Sequence, residues 1–292
     1  MKQCVGAWVR RCVEGQECVG AYALLAAVLA AATGCPIPPP ENAIADGPTM
    51  EARLATVLER VGTLRAEAEA EQMTERGPVK GLVYVFLRPP DRLRFDSMSP
   101  VDTALAVLVS DGTSFALHDI EANRYYFGPA APCNIARLLR IPLDAASVIR
   151  ILLGLPPLVP GAPATVTWDG GGFYVYRQEV EDGTTIESRI APLRDELDTL
   201  SVRLVDNRGT VWEAVFDDRR ETGGVRLAWH VRFTAREAEG PVEVWYTSLE
   251  TQVDLPDDAW TYPPPEGIPS EAVDCGTVID SVTWEGTEPT AE

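Results

Sequence analysis

The chain has 292 residues, of which 46% are hydrophobic, and its formal net charge is −19 at pH 7. This length is enough to bury one sizeable core, so a single domain is the simplest organisation. The acidic balance disfavours nucleic acid as a partner, and it repels an anionic lipid surface.

An apolar run near the start of the chain predicts export. Residues 21–32 carry no charge, and the run is too short to cross a bilayer comfortably as a retained helix, which favours a cleaved signal peptide over residues 1–34. The run ends in Ala32-Thr33-Gly34-Cys35, which resembles the lipobox of bacterial lipoproteins. That resemblance implies that Cys35 receives a diacylglycerol and becomes the first residue of the mature protein. A plain signal peptide and a retained anchor are the alternatives.

The next segment, residues 35–49, is predicted to be a proline-rich tether. Pro36 and Pro38–Pro40 favour a stiff extended spacer that holds a folded body away from a membrane surface. An amphipathic helix over about Met50–Met73 follows, because apolar residues recur at intervals of three and four. We expect its apolar stripe to pack on the protein's own sheet, since its polar face is acidic rather than basic. The stripe consists of Leu54, Val57, Leu58, Val61 and Leu64.

Two runs of strands are predicted after this helix. In the first run, Leu93 and Phe95 alternate with charged residues, and Asp111-Gly112 is typical of a tight hairpin. The first run has strands at Val79–Leu87, around Leu93 and Phe95, and at Ala104–Val109, Thr113–His118 and Arg124–Phe127. The second run has strands at Thr165–Trp168, Phe173–Glu179, Thr184–Ile190, Leu200–Val205, Thr210–Phe216, Gly224–Thr234 and Val242–Val253.

Between the two runs, residues 133–161 lose the alternation and predict helices. Asp144 can cap a helix that stops at Gly154. Apolar residues share one face of this helix and also occur on its other faces, which implies burial or contact with something apolar. The shared face holds Val148, Ile149, Leu152 and Leu153.

These patterns predict a mainly β (α+β) domain over residues 50–265. The expected architecture is a single curved antiparallel sheet, or incomplete β-barrel, of about 10–11 strands with helices closing its mouth. A proline- and acid-rich tail over residues 266–292 follows, and we expect disorder beyond Trp284.

Of six cysteines, only Cys133 and Cys275 remain free after removal of the signal and lipidation of Cys35. Export to an oxidising compartment makes a disulfide between them one interpretation, and two buried thiols are the other.

The sequence contains no motif for catalysis, for a metal or for a cofactor. His118 and His230 fall in predicted strands without a partner at ligand spacing, so each is interpreted as an ordinary strand residue. We therefore expect no catalytic residues, no metal ligands and no cofactor, and the protein is not predicted to be an enzyme.

The order of these elements resembles the lipoprotein-localisation family of LolA and LolB. One segment that carries the resemblance is Asp91–Phe95, which leads through a proline-containing loop and a strand to the Asp111-Gly112 turn. The other is Arg140–Leu143 followed by Leu152–Pro156. The resemblance covers most of residues 50–265. Lipidation at Cys35 places the chain closer to LolB, because LolA is not lipidated.

The resemblance implies a half-barrel around an apolar cavity that receives the acyl chains of lipoproteins. Because the residues from Leu138 to Val159 carry more aliphatic surface than short helices need, we expect the cargo site under these helices, lined by Leu138, Val148, Ile149, Leu152 and Leu153. The resemblance also implies a membrane-probe loop at Ser97–Thr103, with Met98 and Val101 as the probing side chains. Asp102 makes this loop a poorer probe, because a carboxylate is costly to bring near hydrocarbon.

The resulting functional hypothesis is an outer-membrane lipoprotein that faces the periplasm and acts in lipoprotein or lipid transfer or localisation. Its expected partners are membrane lipid, through acylated Cys35, and an acylated lipoprotein cargo or a periplasmic carrier. The alternative is a structural or regulatory envelope lipoprotein, similar to a stress sensor, without lipid transfer.

Overall fold

A computed structural model of the chain describes residues 36–277, apart from 75–76, 100, 181–182 and 195. Its main feature is one sheet of fourteen strands in the order β14-β6-β5-β4-β3-β2-β1-β13-β12-β11-β10-β9-β8-β7. All neighbours are antiparallel except β14, which pairs in parallel with β6. The sheet curves without closing, with β7 and β14 as its edges.

The helices are α1 (Gly47–Val61), α2 (Pro132–Leu139) and α3 (Ala145–Leu152), with a 3₁₀ turn at Asp257–Trp260. The strands are β1 (Leu64–Thr74), β2 (Gly77–Arg88), β3 (Arg92–Met98), β4 (Ala104–Ser110), β5 (Ser114–Asp119), β6 (Arg124–Pro129), β7 (Ala164–Trp168), β8 (Tyr174–Glu179), β9 (Thr185–Leu193), β10 (Glu196–Asp206), β11 (Gly209–Thr222), β12 (Val225–Ala235), β13 (Val242–Thr251) and β14 (Ser270–Ala272).

Helix α3 lies inside the concavity of the sheet, where it contacts both β3 and β12. These strands are four steps apart in the sheet order. A flat sheet would separate them by about 19 Å, at about 4.8 Å per step, which is too far for one helix about 10 Å wide to touch both. The sheet therefore curls around the helix, and one hydrophobic core fills the space between them.

The predicted fold class is confirmed, but the predicted count of about 10–11 strands is too low, and two of the fourteen strands lie outside every predicted strand segment. One missed strand is β1, which lies within the helix predicted over Met50–Met73. The helix ends at Val61, where Gly62 adopts a positive φ of 57°. After it, the inward side chains of Leu64, Ala66, Ala68 and Ala70 are buried and the residues between them are polar, which is the period of a strand. The alanine and glutamate residues favour a helix locally, and pairing with β2 and β13 overrides that preference.

The second missed strand is β14, which lies in the segment predicted as an acidic tail. Ser270 pairs with Tyr125 and Ala272 with Phe127, so this part of the chain extends the sheet beyond β6. A run of three residues is too short to show an alternation that sequence analysis can detect. Trp284 and the disorder expected beyond it lie outside the described residues.

Several local predictions agree with the structure. The Asp111 side chain accepts hydrogen bonds from the backbone N–H groups of Thr113 and Ser114 in the β4–β5 turn, at 2.8 and 2.7 Å. Asp144 caps α3 by accepting a hydrogen bond from the Ser147 N–H at 2.9 Å. Gly154 follows α3 with a φ of 73°, a conformation that favours glycine.

Candidate functional site

The five residues predicted to line a cargo site lie together inside the concavity. Leu138 belongs to α2, and the other four belong to α3 or directly follow it. None has more than 1% of its surface exposed, and all belong to the same core as the inward side chains of the sheet. In this state they form a filled interior, so a ligand can reach them only if the packing around them opens. The five residues are Leu138, Val148, Ile149, Leu152 and Leu153.

Three hydrogen bonds from side chains hold the carboxyl-terminal end of α3 in place. The Tyr246 hydroxyl on β13 donates to the Leu152 carbonyl at 3.0 Å, and Arg219 Nη2 on β11 donates to the Gly154 carbonyl at 3.0 Å. Within the segment itself, Arg150 Nε donates to the Pro156 carbonyl at 2.5 Å. These bonds satisfy carbonyl groups that a helix end otherwise leaves unpaired. Movement of this end of α3 away from the sheet must break the first two.

A polar cluster interrupts this apolar interior beside α3. The Tyr176 hydroxyl donates to Glu51 Oε1 at 2.8 Å, and Gln178 Nε2 donates to the same oxygen at 3.3 Å. Arg150 is buried nearby, and its Nη2 has no hydrogen-bond partner among the described residues. Burial lowers the pKa of Arg150 to about 10, while Tyr176 and Glu51 act in the opposite direction. The side chain is therefore a cation with a free N–H group inside the apolar interior.

The predicted membrane-probe loop lies between β3 and β4. Val101, at the tip of the loop, is 81% exposed, whereas Met98 is half-buried at the end of β3. Asp102 has a φ of 59°, and its carboxylate accepts a hydrogen bond from the Tyr84 hydroxyl at 3.1 Å. Val101 is thus the one strongly exposed apolar side chain among the described residues of this loop, with an ionisable group beside it.

Cys133 and Cys275 are joined in a disulfide with a Cα–Cα distance of 5.4 Å. The bond ties the first turn of α2 to the segment after β14. Arg137 reinforces it by donating to the carbonyls of Asp274 and Thr277 at 2.9 and 3.0 Å. The helical cover of the interior is therefore fastened to the carboxyl-terminal segment.

The predicted tether is not a free spacer, because residues 36–46 lie along β7. We call this segment the strap. The Ile37 N–H donates to the Gly170 carbonyl at 2.8 Å, and the Trp168 indole N–H donates to the Ile37 carbonyl at 2.7 Å. Further along the strap, the Ile44 N–H donates to the hydroxyl of Tyr174, which lies on β8 opposite Trp168, at 3.1 Å. Cys35 itself lies outside the described residues.

The strap leads into α1 at a point of very close packing. A Cβ atom added to Gly47 would lie 2.5 Å from the Cβ of Ala164 on β7. Glycine is required here because no larger residue fits against the strand. Hydrogen bonds with residues more than 100 positions away make the segment part of the folded body.

A groove on the outer face of the sheet was not predicted. It has a volume of about 650 Å³ and runs between strands β4–β6 and the segment after the 3₁₀ turn. The Tyr125 hydroxyl donates to the Tyr262 carbonyl at 2.6 Å, and the Tyr262 hydroxyl lies 3.1 Å from His118 Nδ1. The main aromatic residues that line the groove are Tyr125, Phe127, Trp260 and Tyr262. The cluster of tryptophan, tyrosine and proline at 260–264 was the available sequence signal.

Neither histidine belongs to a metal-binding group, since the described part of the chain has no cluster of three or more residues that could hold a metal ion. His118 lies on β5. His230 on β12 is partnered by Glu243, with 2.9 Å between His230 Nε2 and Glu243 Oε2, and stacks on Trp245. On the outer face, His118 contacts Tyr262, and His230 contacts Glu243 and Trp245.

No helix within the described residues has the length and apolarity needed to cross a membrane.

Comparisons with known proteins give the fold. No family model matches the chain, and no curated protein matches it. A DUF1329 family protein from Desulfovibrio piger has a similar structure, with a TM-score of 0.54 and 12% identity over 74% of this chain and 98% of that one. A LolA superfamily protein from Nitrosomonas europaea has a TM-score of 0.49 and 10% identity, with coverage of 72% and 98%. A putative outer membrane lipoprotein-sorting protein domain from Vibrio parahaemolyticus has a TM-score of 0.39 and 12% identity, with coverage of 72% and 96%. At 12% identity, the likeness to the Desulfovibrio piger protein shows a shared fold alone. The other two structures have TM-scores below 0.5, and we draw no conclusion from them.

Proposed function

We propose that this protein is a lipid-anchored envelope protein whose half-barrel binds acyl chains beneath α2 and α3. The bound cargo is the acylated end of a lipoprotein or a similar lipid, and the role is transfer or localisation at the outer membrane, on its periplasmic side. The anchor is a diacylglycerol on Cys35, and a periplasmic carrier supplies the cargo.

The observation that carries this proposal is the apolar character of both walls of the interior. Helix α3 is buried from Val148 to Leu152, and the residues from Leu153 to Leu155 continue the buried surface past its end. The sheet beneath presents small inward residues along β1, such as Ala66 and Ala68. A helix that lies against a concave apolar wall leaves, when it moves, a trough lined almost wholly by hydrocarbon.

The burial of one acyl chain taken from water is similar in size to the cost of opening α3. Exposing Ile149, Leu152 and Leu153 costs about 2 kcal/mol each, and breaking the bonds from Tyr246 and Arg219 costs about 1 kcal/mol each. One acyl chain of about sixteen methylenes contributes about 13 kcal/mol when fully buried, at about 0.8 kcal/mol per methylene. A single chain therefore offsets the opening of α3.

Arg150 gives the interior a place for the polar end of such a ligand. Its free Nη2–H group can donate to an ester carbonyl or to a carboxylate that enters with the chain. The low dielectric of the site strengthens this hydrogen bond relative to one in water.

The fastening of α3 favours a second candidate, a structural or regulatory envelope lipoprotein that keeps a permanently filled core. In this alternative, the bonds from Tyr246 and Arg219 fix α3 for the lifetime of the fold. The two candidates differ in whether α3 opens.

Replacing Tyr246 by phenylalanine should speed acyl binding. The change removes the hydroxyl that bonds the Leu152 carbonyl but keeps the aromatic ring. We expect a loss of about 1–2 kcal/mol in the free energy of unfolding, because a buried carbonyl loses its partner. The same loss weakens the closed position of α3, so a fluorescent fatty acid should bind about tenfold faster, at about 1.4 kcal/mol per factor of ten. Stopped-flow fluorescence measures this rate.

Tyr125→Phe is the matched control. The Tyr125 hydroxyl also donates to a carbonyl, that of Tyr262, but on the outer face of the sheet. This variant should lose comparable stability and leave the binding rate unchanged. If the two variants lose stability alike and neither changes the binding rate, α3 does not act as a movable cover, and the filled-core candidate is favoured.

A further inference from the structure

The turns of the half-barrel fall into two sets at opposite ends of the sheet. Because β7 to β13 are joined as successive antiparallel hairpins, the β7–β8, β9–β10 and β11–β12 turns lie at one end. We call it the strap end, since the strap begins there. Strand β13 pairs antiparallel with β1, and following the alternation through β2 and β3 places the β3–β4 turn at the other end. Val101 therefore lies at the end opposite the strap end.

The strap determines where the chain leaves the folded body. Ile37 is hydrogen-bonded to Gly170 in the β7–β8 turn and to Trp168 just before it. Pro36 Cβ lies 3.6 Å from the position of a Cβ on Gly170. Cys35 is the next residue, and consecutive Cα atoms are about 3.8 Å apart. The described chain thus begins at the strap end, one residue after Cys35.

Exposed apolar side chains occur at this same end. Ile37 is 52% exposed, and Leu193 at the end of β9 is 45% exposed. Arg189 on β9 is half-exposed, stacks on Phe173 in the β7–β8 turn at 4.0 Å and pairs with Asp169 at 3.7 Å. Arg194 is exposed in the β9–β10 turn. Aliphatic tips flanked by arginine are suited to the headgroup region of a bilayer, where the tips enter the interface and the guanidinium groups meet phosphate.

We propose that the strap end of the half-barrel lies against the bilayer that holds the acyl chains of Cys35, with Ile37 and Leu193 in the headgroup region. This inference rests on the lipid anchor of the proposed function. The partner is the lipid surface, because the strap leaves no length of chain to separate this end from the membrane.

The same orientation places Val101 at the end of the half-barrel that faces away from the anchoring membrane. Strand β1 has eleven residues, which span about 36 Å at about 3.3 Å per residue. Even with strands tilted by about 45°, the two ends are about 25 Å apart along the barrel axis. Val101 and Met98 then face the periplasm, where Val101 is placed to meet a carrier instead of lipid.

Hydrogen exchange tests this orientation in protein purified from membranes and reconstituted into phosphatidylcholine vesicles. We expect the amides of residues 170–173 and 193–194 to exchange several-fold more slowly on vesicles than in detergent, and those of 101–103 to exchange equally in both. Leu193→Asp should reduce the protection at the strap end, whereas the matched variant Val101→Asp should leave it unchanged.

Mass spectrometry of the same sample separates the two ways in which the inference can fail. A protein without diacylglycerol on Cys35 lacks the proposed anchor, and the orientation falls with it. If the protein is lipidated but the amides of 101–103, instead of those at the strap end, are protected from exchange, the proposed orientation is wrong and the proposed anchor stands.

Discussion

Replacing Cys35 by alanine should abolish membrane attachment completely. A thioether to diacylglycerol requires a sulfhydryl, so the variant has no site for the lipid. Two acyl chains bind a bilayer through many methylenes at about 0.8 kcal/mol each, whereas the acidic body, with the whole chain at −19, adds no attraction to an anionic surface. We expect the variant to remain unprocessed or to appear in the soluble envelope fraction, as measured by fractionation and by intact mass.

Cys18→Ala is the control for this experiment. Cys18 precedes the expected cleavage site, so its loss should leave both the lipid and the membrane fraction unchanged. An unaltered mature mass and membrane fraction for Cys35→Ala would exclude the lipoprotein interpretation, whatever the structure of the body.

Replacing Cys133 and Cys275 together by serine should lower stability more than any single hydrogen-bond variant. The disulfide closes a loop with a sequence separation of 142, for which the chain-entropy model gives about 5 kcal/mol. Part of this loss is offset, because Arg137 and the β6–β14 pairing still hold the carboxyl-terminal segment around β14 in place. We expect a decrease of about 3–5 kcal/mol in the free energy of unfolding, measured by urea denaturation. A change in the slope of this free energy against urea concentration would report a change in the unfolded state.

The location of the effect distinguishes this prediction from a general loss of stability. Amides of α2 and β14 should exchange fastest in the double variant, while those of β11 and β12 should keep their protection relative to global unfolding. Equal urea midpoints for the double variant and the wild type would show that this disulfide does not stabilise the fold.

Local signals in the sequence were sufficient for much of the fold. The alternation around Leu93 and Phe95, the Asp111-Gly112 turn and the Asp144 cap depend on residues within a few positions of each other, and each is present in the structure. Patterns that span only a few residues indicate the periodicity of a strand or helix and the residues that favour a turn.

Local sequence does not determine the structure where pairing with distant strands decides between helix and strand. The segment after Gly62 is rich in alanine and glutamate and could continue the helix, and only its partners β2 and β13 make it a strand. The strap shows the same limit. The bond from Trp168 to Ile37 joins residues 131 positions apart, so the proline tract alone could not reveal where it binds.

The candidate site was predicted in part. Composition identified the apolar helices and the residues that face the interior, but it could not tell a lined cavity from a filled core, because both need the same side chains. The buried position of Arg150 also depends on α1 and β8, which pack around it from distant parts of the chain.

The central claim, that the interior beneath α3 takes up acyl chains, is tested most directly by native mass spectrometry of the purified protein with a diacylated lipopeptide. The same peptide without its acyl chains is the reference. The account predicts a one-to-one complex with the acylated peptide that saturates on titration, and no such complex with the reference peptide. Equal, unsaturable adducts of both peptides would contradict it and would leave the filled-core lipoprotein as the better account.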